Sequence, residues 1–441
     1  MSSLIDYAKK GIAVGLSAGS SQVEVVIINE RKTRLEVQNS ELRSGDILEA
    51  GGAGVRVYIG QRVGLASSTQ LHELERIVLN AYHIAKAAPG DPYFKSLPMA
   101  DKYPKVQGLY EKELAETPFE NLVQVLMDGV EAAKLDSQYT VEGSLDRTIN
   151  EMAIVNSLGI EVEARESSID GVIGTKYEVG SDTSMGHEPI MGRSLKEIDS
   201  KAIGSRAAEK AKARIGAKKV KSGEMDVILD HMSTLGSISA LLGSGANGLG
   251  AALGTAFLGG KIGEKVASEN LNVTDNPLVP SGISSRTFDD EGFPSKKIKL
   301  LEKGVLKSYI TDSYSAGRLG VKNTGHASRG SLTSKPRPSP SNIIVASGDR
   351  KDLVSETKKG ILIEDSGLHL QGSSTNISNM VDFGFYIEKG EIKYPIKNTM
   401  VGLTVFDALM NIDAITKDVV NYWGSSIPSV RIMNTKVSSG Q

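Results

Sequence analysis

The 441-residue chain contains no cysteine. That absence removes disulfides, thiolate metal ligands and cysteine nucleophiles together, and a cytoplasmic address is the expectation. An excess of charge of either sign is also missing. With 51 Lys and Arg against 53 Asp and Glu the formal charge is −2, so there is no electrostatic footprint for nucleic acid or an anionic membrane surface. Long apolar runs are absent as well. His231 to Gly260 carries no Asp, Glu, Lys or Arg, but Ser233, Thr234, Ser237, Ser239, Ser244 and Asn247 interrupt it. A membrane-spanning helix needs about 20 predominantly apolar residues, so this stretch reads as glycine-rich buried backbone. The first residues offer no signal-peptide core, because Asp6, Lys9 and Lys10 break it. Aromatics are scarce at 5%, whereas glycine is abundant at 47 residues. That combination suits numerous tight turns, or backbone that must approach something closely.

What is present reads as an α+β protein. An N-terminal α/β portion of short strands and helices runs to about residue 216, divisible into units 1–110 and 111–216. A larger, strand-rich domain follows over 217–441. In the first unit, Val23–Ile28, Thr33–Gln38, Gly54–Ile59 and Arg62–Ala66 read as short strands, the last two joined by a Gly60-Gln61 turn. Leu71, Leu74, Ile77, Val78, Ala81, Ile84 and Ala85 recur at helical spacing. In the second unit, Thr117-Pro118-Phe119-Glu120 predicts a capping box opening a helix to about Lys134. Strand pieces follow at 140–145, 151–156, 160–166 and 171–179, and Ser194 opens a further helix to about Ile215. Beyond Lys218–Gly223, strands and glycine turns dominate. Two hairpins, Leu301–Lys307 and Ile387–Lys393, share a Lys-Gly turn, which a common turn solution explains; no long repeat is evident.

Few arrangements survive as chemistry. Gly243-Ser-Gly-Ala-Asn-Gly248 has the dinucleotide spacing, but the strand candidate ends well before it, at Leu229. The six histidines, His72, His83, His187, His231, His326 and His369, include no pair at zinc-helix spacing. His187-Glu188 is followed by Pro189, which interrupts a helix. No Gly-x-Ser-x-Gly elbow stands between a strand and a helix. The densest polar cluster lies between Asp289 and Arg329. Its Asp312, His326 and Arg329 are candidates for orienting peptide through charge and hydrogen bonds; satisfied turn residues would look the same.

Segments in order along the chain resemble the TldD/PmbA family, and its PmbA (TldE-like) branch in particular. They include Gly54-Val-Arg-Val, Asn156-Ser-Leu-Gly159, Gly259-Gly-Lys-Ile-Gly-Glu-Lys265, Asp275-Asn-Pro277, Asp289-Asp-Glu-Gly292, Thr324-Gly-His-Ala-Ser-Arg329 and Pro428-Ser-Val-Arg-Ile432. The resemblance implies a two-subunit, zinc-dependent peptidase acting on extended peptide. In such an assembly a TldD-like chain carries His-Glu-x-x-x-His on a helix, with a downstream cysteine as third ligand. The matching segment here reads His231-Met-Ser-Thr-Leu-Gly236, without the glutamate or the second histidine.

The expectation is therefore a non-catalytic partner with no catalytic residues, no metal ligands and no cofactor of its own. Zinc is expected on the TldD-like subunit. A heterodimer with that subunit, or a homodimer when alone, is the expected state, with neither nucleic acid nor membrane as partner. Two alternatives stay open. One is a self-sufficient peptidase with a metal site built from His231, His326 and nearby acids. The other is a regulatory protein-binding module, in line with the family's older description as a modulator of DNA gyrase.

Overall fold

The computed structural model describes residues 3–371 and 374–440. Helix α1 (Leu4–Ser17) is fixed at its start by a reciprocal cap between Ser3 and Asp6, and buries Ala8, Gly11, Ile12 and Gly15 along one stripe. Strands β1 (Gln22–Gln38), β2 (Glu41–Ile59) and β3 (Arg62–Ser68) follow, and then helix α2 (Leu74–Ala87). A short α3 (Lys112–Glu116) leads into the same plan again: α4 (Phe119–Ala133), β4 (Tyr139–Asn156), β5 (Glu161–Val179), β6 (Asp182–Gly192) and α5 (Ser200–Ala213). The six strands form one sheet in the order β3-β2-β1-β4-β5-β6. An αβββα unit thus occurs twice, with β1 and β4 antiparallel at the centre.

Two glycines mark the correspondence. A Cβ on Gly64 of β3 would lie 1.9 Å from the Ala81 carbonyl of α2. One on Gly186 of β6 would lie 2.2 Å from the Ala207 carbonyl of α5. Each outer strand lies directly against the backbone of its helix, which only glycine permits.

Several local expectations change. The pieces 23–28 and 33–38 are one continuous strand, because β2 and β4 hydrogen-bond β1 along both sides. The strands on either side of residues 110/111 share a single six-stranded sheet. The Thr117 capping box does not form. Its hydroxyl instead donates to the Glu113 carbonyl at 2.7 Å, closing α3, and α4 starts without a side-chain cap. Ser194 caps only a single 3₁₀ turn, and Asp199 caps α5. His187-Glu188-Pro189, which Pro189 excludes from a helix, lies on β6.

The C-terminal part is strand-rich, and no strand described there exceeds the 10 residues of Val430–Ser439. Eight strands form one sheet and six another. Strand β7 (Gly223–Leu229) pairs in parallel with Lys359–Ile363 and antiparallel with Val430–Ser439. It runs into α6 (His231–Gly245), which is capped by Asp230 and followed by α7 (Gly248–Leu253). Gly243 and Gly245 lie in the last turn of α6 and Gly248 opens α7 behind its cap Asn247, so the glycines are not at a strand–helix turn. One continuous core, from Val220 to Val437, fills this part. The N-terminal sheet has two cores on its helix-covered face, one under α1 and α2 and the other under α4 and α5. Among the described residues no helix is long and apolar enough to cross a membrane.

Candidate functional site

Successive residues of a strand point to opposite faces of its sheet. Val23, Val25 and Ile27 therefore face α1 and α2. Glu24, Val26 and Ile28 point the other way, and Val26 packs with Ile154, Ile160, Val162 and Phe288 where the C-terminal part meets the sheet. Arg193 ties this seam from its other end. Its guanidinium donates to the carbonyls of Gly282, Ile283 and Leu109 at 3.0, 2.9 and 2.8 Å.

The β1–β2 register sets Glu24 opposite Arg56. Arg56 grips the carboxylate with Nε at 2.9 Å and Nη2 at 2.6 Å, and Nη2 also reaches Glu291 at 3.2 Å. Arg329, from the C-terminal part, donates to the same Glu24 carboxylate. Ser313 closes the network by donating its backbone N–H to Glu291 at 2.8 Å. Burial would raise the Glu24 carboxyl, but the Arg329 and Arg56 guanidiniums overcome that and hold it below its ordinary value.

Neighbouring acids respond differently. Burial and the Glu291 carboxylate push Asp289 up to about 8. The backbone N–H groups of Glu291, Phe293 and Ala327, at 2.9–3.0 Å, act in the opposite sense. Asp312 precedes α8 (Ser313–Leu319) and caps it, its Oδ1 accepting from the Ser315 N–H at 2.7 Å. Burial and Glu291 raise Asp312 to about 6.

This network stands between two cavities. The larger, about 520 Å³, is a groove between Asn150, Met152, Ala164 and Glu166 of the sheet and Arg286, Asp290, Arg329 and Ser331 opposite. The smaller, about 200 Å³, has Arg56, Glu291 and Asp312 at its floor. Of the three residues singled out from sequence, Arg329 thus lines the groove and Asp312 the small cavity. The Arg329 guanidinium is already engaged, by Glu24 and by the Asp290 carbonyl at 2.9 Å. His326 reaches neither space. It is fully buried, its Nδ1 lies 2.8 Å from the Thr324 carbonyl, and its Nε2 is 3.4 Å from Asp275.

Nor do the histidines of the alternative metal site come together with a shared set of acids. His231, first residue of α6, lies 3.4 Å from Asp418, while His326 lies against Asp275. Among the described residues no three or more His, Asp or Glu are grouped for a metal ion.

The sequence reading overlooked Glu24 and Arg56 as partners. A signal was available: each is a lone charge in an otherwise apolar strand run, and fully buried charges are almost always paired.

Fold and seam together define a class: an α+β protein whose duplicated N-terminal sheet is bolted by buried ion pairs to a strand-rich C-terminal part. Residues 222–439 match the PmbA/TldA metallopeptidase C-terminal domain, and residues 23–85 match PmbA/TldA metallopeptidase domain 1. The chain belongs to the PmbA/TldD family. A metalloprotease of Methanothermobacter thermautotrophicus is 26% identical, covering 97% of this chain and 94% of that protein. The metalloprotease PmbA of Escherichia coli O157:H7 is 24% identical over the same shares. The crystal structure of TldE from Thermococcus kodakarensis superposes with a TM-score of 0.88 at 23% identity, covering 98% of this chain and all of that one.

Proposed function

We propose that this chain is the PmbA/TldE-like subunit of a zinc-dependent metallopeptidase assembly acting on extended peptides in the cytoplasm, and that the bond-breaking metal belongs to a TldD-like partner. The observation that carries this reading is the start of α6. His231 stands there alone: the rest of the helix to Gly245 holds no second histidine and no acid. A catalytic zinc usually takes three protein ligands and keeps one open position. Asp418 lies 3.4 Å from His231 Nε2 and the Ser429 hydroxyl 3.5 Å from Nδ1, and among the described residues no three His, Asp or Glu are grouped there. These residues do not fit zinc, and no step is derived through it on this chain.

What this chain supplies is a shaped wall. The groove at the seam presents backbone and polar groups from 283–287 and 328–332 against the open face of β4 and β5. Extended peptide can be held by such backbone groups with few specific side chains. Its own charged residues, locked in ion pairs, orient and exclude rather than react.

The test is co-expression with a TldD-like homologue that carries His-Glu-x-x-x-His. The two should co-purify, zinc should be found only in proportion to the TldD-like chain, and peptide turnover should require both. One tightly held zinc per chain in the isolated protein, lost in His231→Ala together with turnover, would overturn the reading.

A further inference from the structure

The small cavity is separate from the groove and shares no lining residue with it. Its walls are apolar. Tyr58 and Phe94 stack with centroids 3.8 Å apart, and Val63 and Leu249 line the space beside them. Charged residues also line it: Asp91, Glu291 and Asp312 among the acids, Arg56, Lys335 and Arg337 among the cations. Behind that lining, Arg56 and Arg329 converge on Glu24, and Arg56 also reaches Glu291. Both arginines are spent on Glu24 and Glu291; among the described residues Asp312, 2% exposed, forms no ion pair, and Arg56 acts on it only from a distance. A buried charge is costly unless paired. Oδ1 of Asp312 accepts from Ser315. Among the described residues no hydrogen bond reaches its Oδ2, and Asp312 is one of the residues lining the cavity.

We infer that this cavity binds a primary ammonium attached to an apolar group, with the ammonium on Asp312 Oδ2 and the apolar group against Tyr58, Phe94 and Leu249. A single free carboxylate oxygen suits the compact ammonium, whereas a guanidinium is matched by two oxygens at once. The volume of about 200 Å³ is below that of ordinary ligand pockets, about 300–1,000 Å³, so it takes one residue-sized group. Lys335 and Arg337 at the mouth are exposed, and solvent and salt screen their repulsion. Two sources share this chemistry: the amino terminus of a peptide that begins with an apolar residue, and a lysine side chain.

Calorimetric titration of the intact chain at neutral pH tests the site. Leucinamide should bind one per chain, and N-acetyl-leucinamide, which lacks the ammonium, at least tenfold more weakly. Asp312→Asn keeps a good helix cap and should lose at least tenfold in affinity for leucinamide. Should that variant fail to fold, Leu253→Lys serves instead: Leu253 is a half-exposed wall residue, and the new cation should weaken binding similarly. Binding of N-α-acetyl-lysinamide in preference to leucinamide, equally sensitive to the variants, would identify the lysine side chain as the source. Three results would each overturn the inference: no saturable binding of either ammonium probe, equal affinity for leucinamide and its acetylated form, or unchanged binding in the folded variants.

Discussion

The two ends of the N-terminal sheet are built on one plan and finished differently. At the end covered by α1 and α2, the opposite face is buried against the C-terminal part, and its charges, Glu24 and Arg56, are sealed in a bidentate pair. At the end covered by α4 and α5, the corresponding face carries Lys32, Arg34 and Asp146. Arg34 grips Asp146 at 3.1 and 3.0 Å, but remains 43% exposed. Cross-strand pairing of opposite charges is therefore common to both ends. What differs is the layer placed on top, and that layer decides whether a pair is a surface decoration or a bolt.

The largest expected effect lies at the bolt. Glu24→Ala leaves Arg56 and Arg329 facing each other without their shared carboxylate, and breaking a buried pair in this way costs about 3–5 kcal/mol. Denaturant unfolding of the variant should show that loss. A cost no larger than that at Asp146 would break the comparison.

Next come the glycines that make the two units equivalent. Gly64→Ala and Gly186→Ala each drive a methyl into a helix carbonyl, at 1.9 and 2.2 Å. Overpacking of this kind costs roughly 1–3 kcal/mol, here at the upper end because backbone cannot swing aside. The two losses should match within about 1 kcal/mol; a loss confined to one variant would show that the units do not pack alike.

Asp312 tests the covering layer through pH. Its value of about 6 in the folded chain lies above the ordinary 3.8. The folded state therefore keeps the proton longer, and this contribution is present below about pH 4 and lost as pH rises towards 6. Asp312→Asn cannot lose it. Across that window the wild type should fall relative to the variant by on the order of 2 kcal/mol, measured by parallel unfolding at pH 4 and pH 7. A constant difference would show that Asp312 ionises freely.

The smallest effect belongs to the open end. Asp146→Ala removes the shared partner of Lys32 and Arg34; Asp146 itself is buried, but its cations are 25% and 43% exposed, so the loss should be about 1 kcal/mol, below that at Glu24, and weakened by salt. Unfolding at low and high ionic strength should make the difference shrink. A salt-independent loss would mean that this face is covered after all.

The sequence was most legible where structure is local. The hydrophobic spacing of Leu74, Ile77, Val78, Ala81 and Ala85 matches the buried stripe of α2. The Gly60-Gln61 turn joins β2 and β3 with Ile59 opposite Arg62. Reading failed where two local solutions compete. Thr117 has the right neighbours for a cap, yet its hydroxyl finds the Glu113 carbonyl one turn earlier. The duplicated αβββα unit escaped notice because what the two copies share is a pattern of strand lengths and close contacts, and not a string of residues.

Composition, the missing cysteines and the spacing of histidines were set by the sequence alone, as were the apolar runs that became β1 and β2. Those properties need no partner in space. The candidate site is different in kind. Glu24 and Arg56 become neighbours through strand register, and Arg329 reaches them across 305 positions of chain. Asp312, by sequence one of three peptide-orienting candidates in a polar cluster, gains its cavity only because Tyr58 and Phe94 arrive from the other part of the molecule. Charge burial depends on what covers a residue from every side, so only the assembled tertiary structure could decide which acids are bolts, which are caps and which is left without a partner.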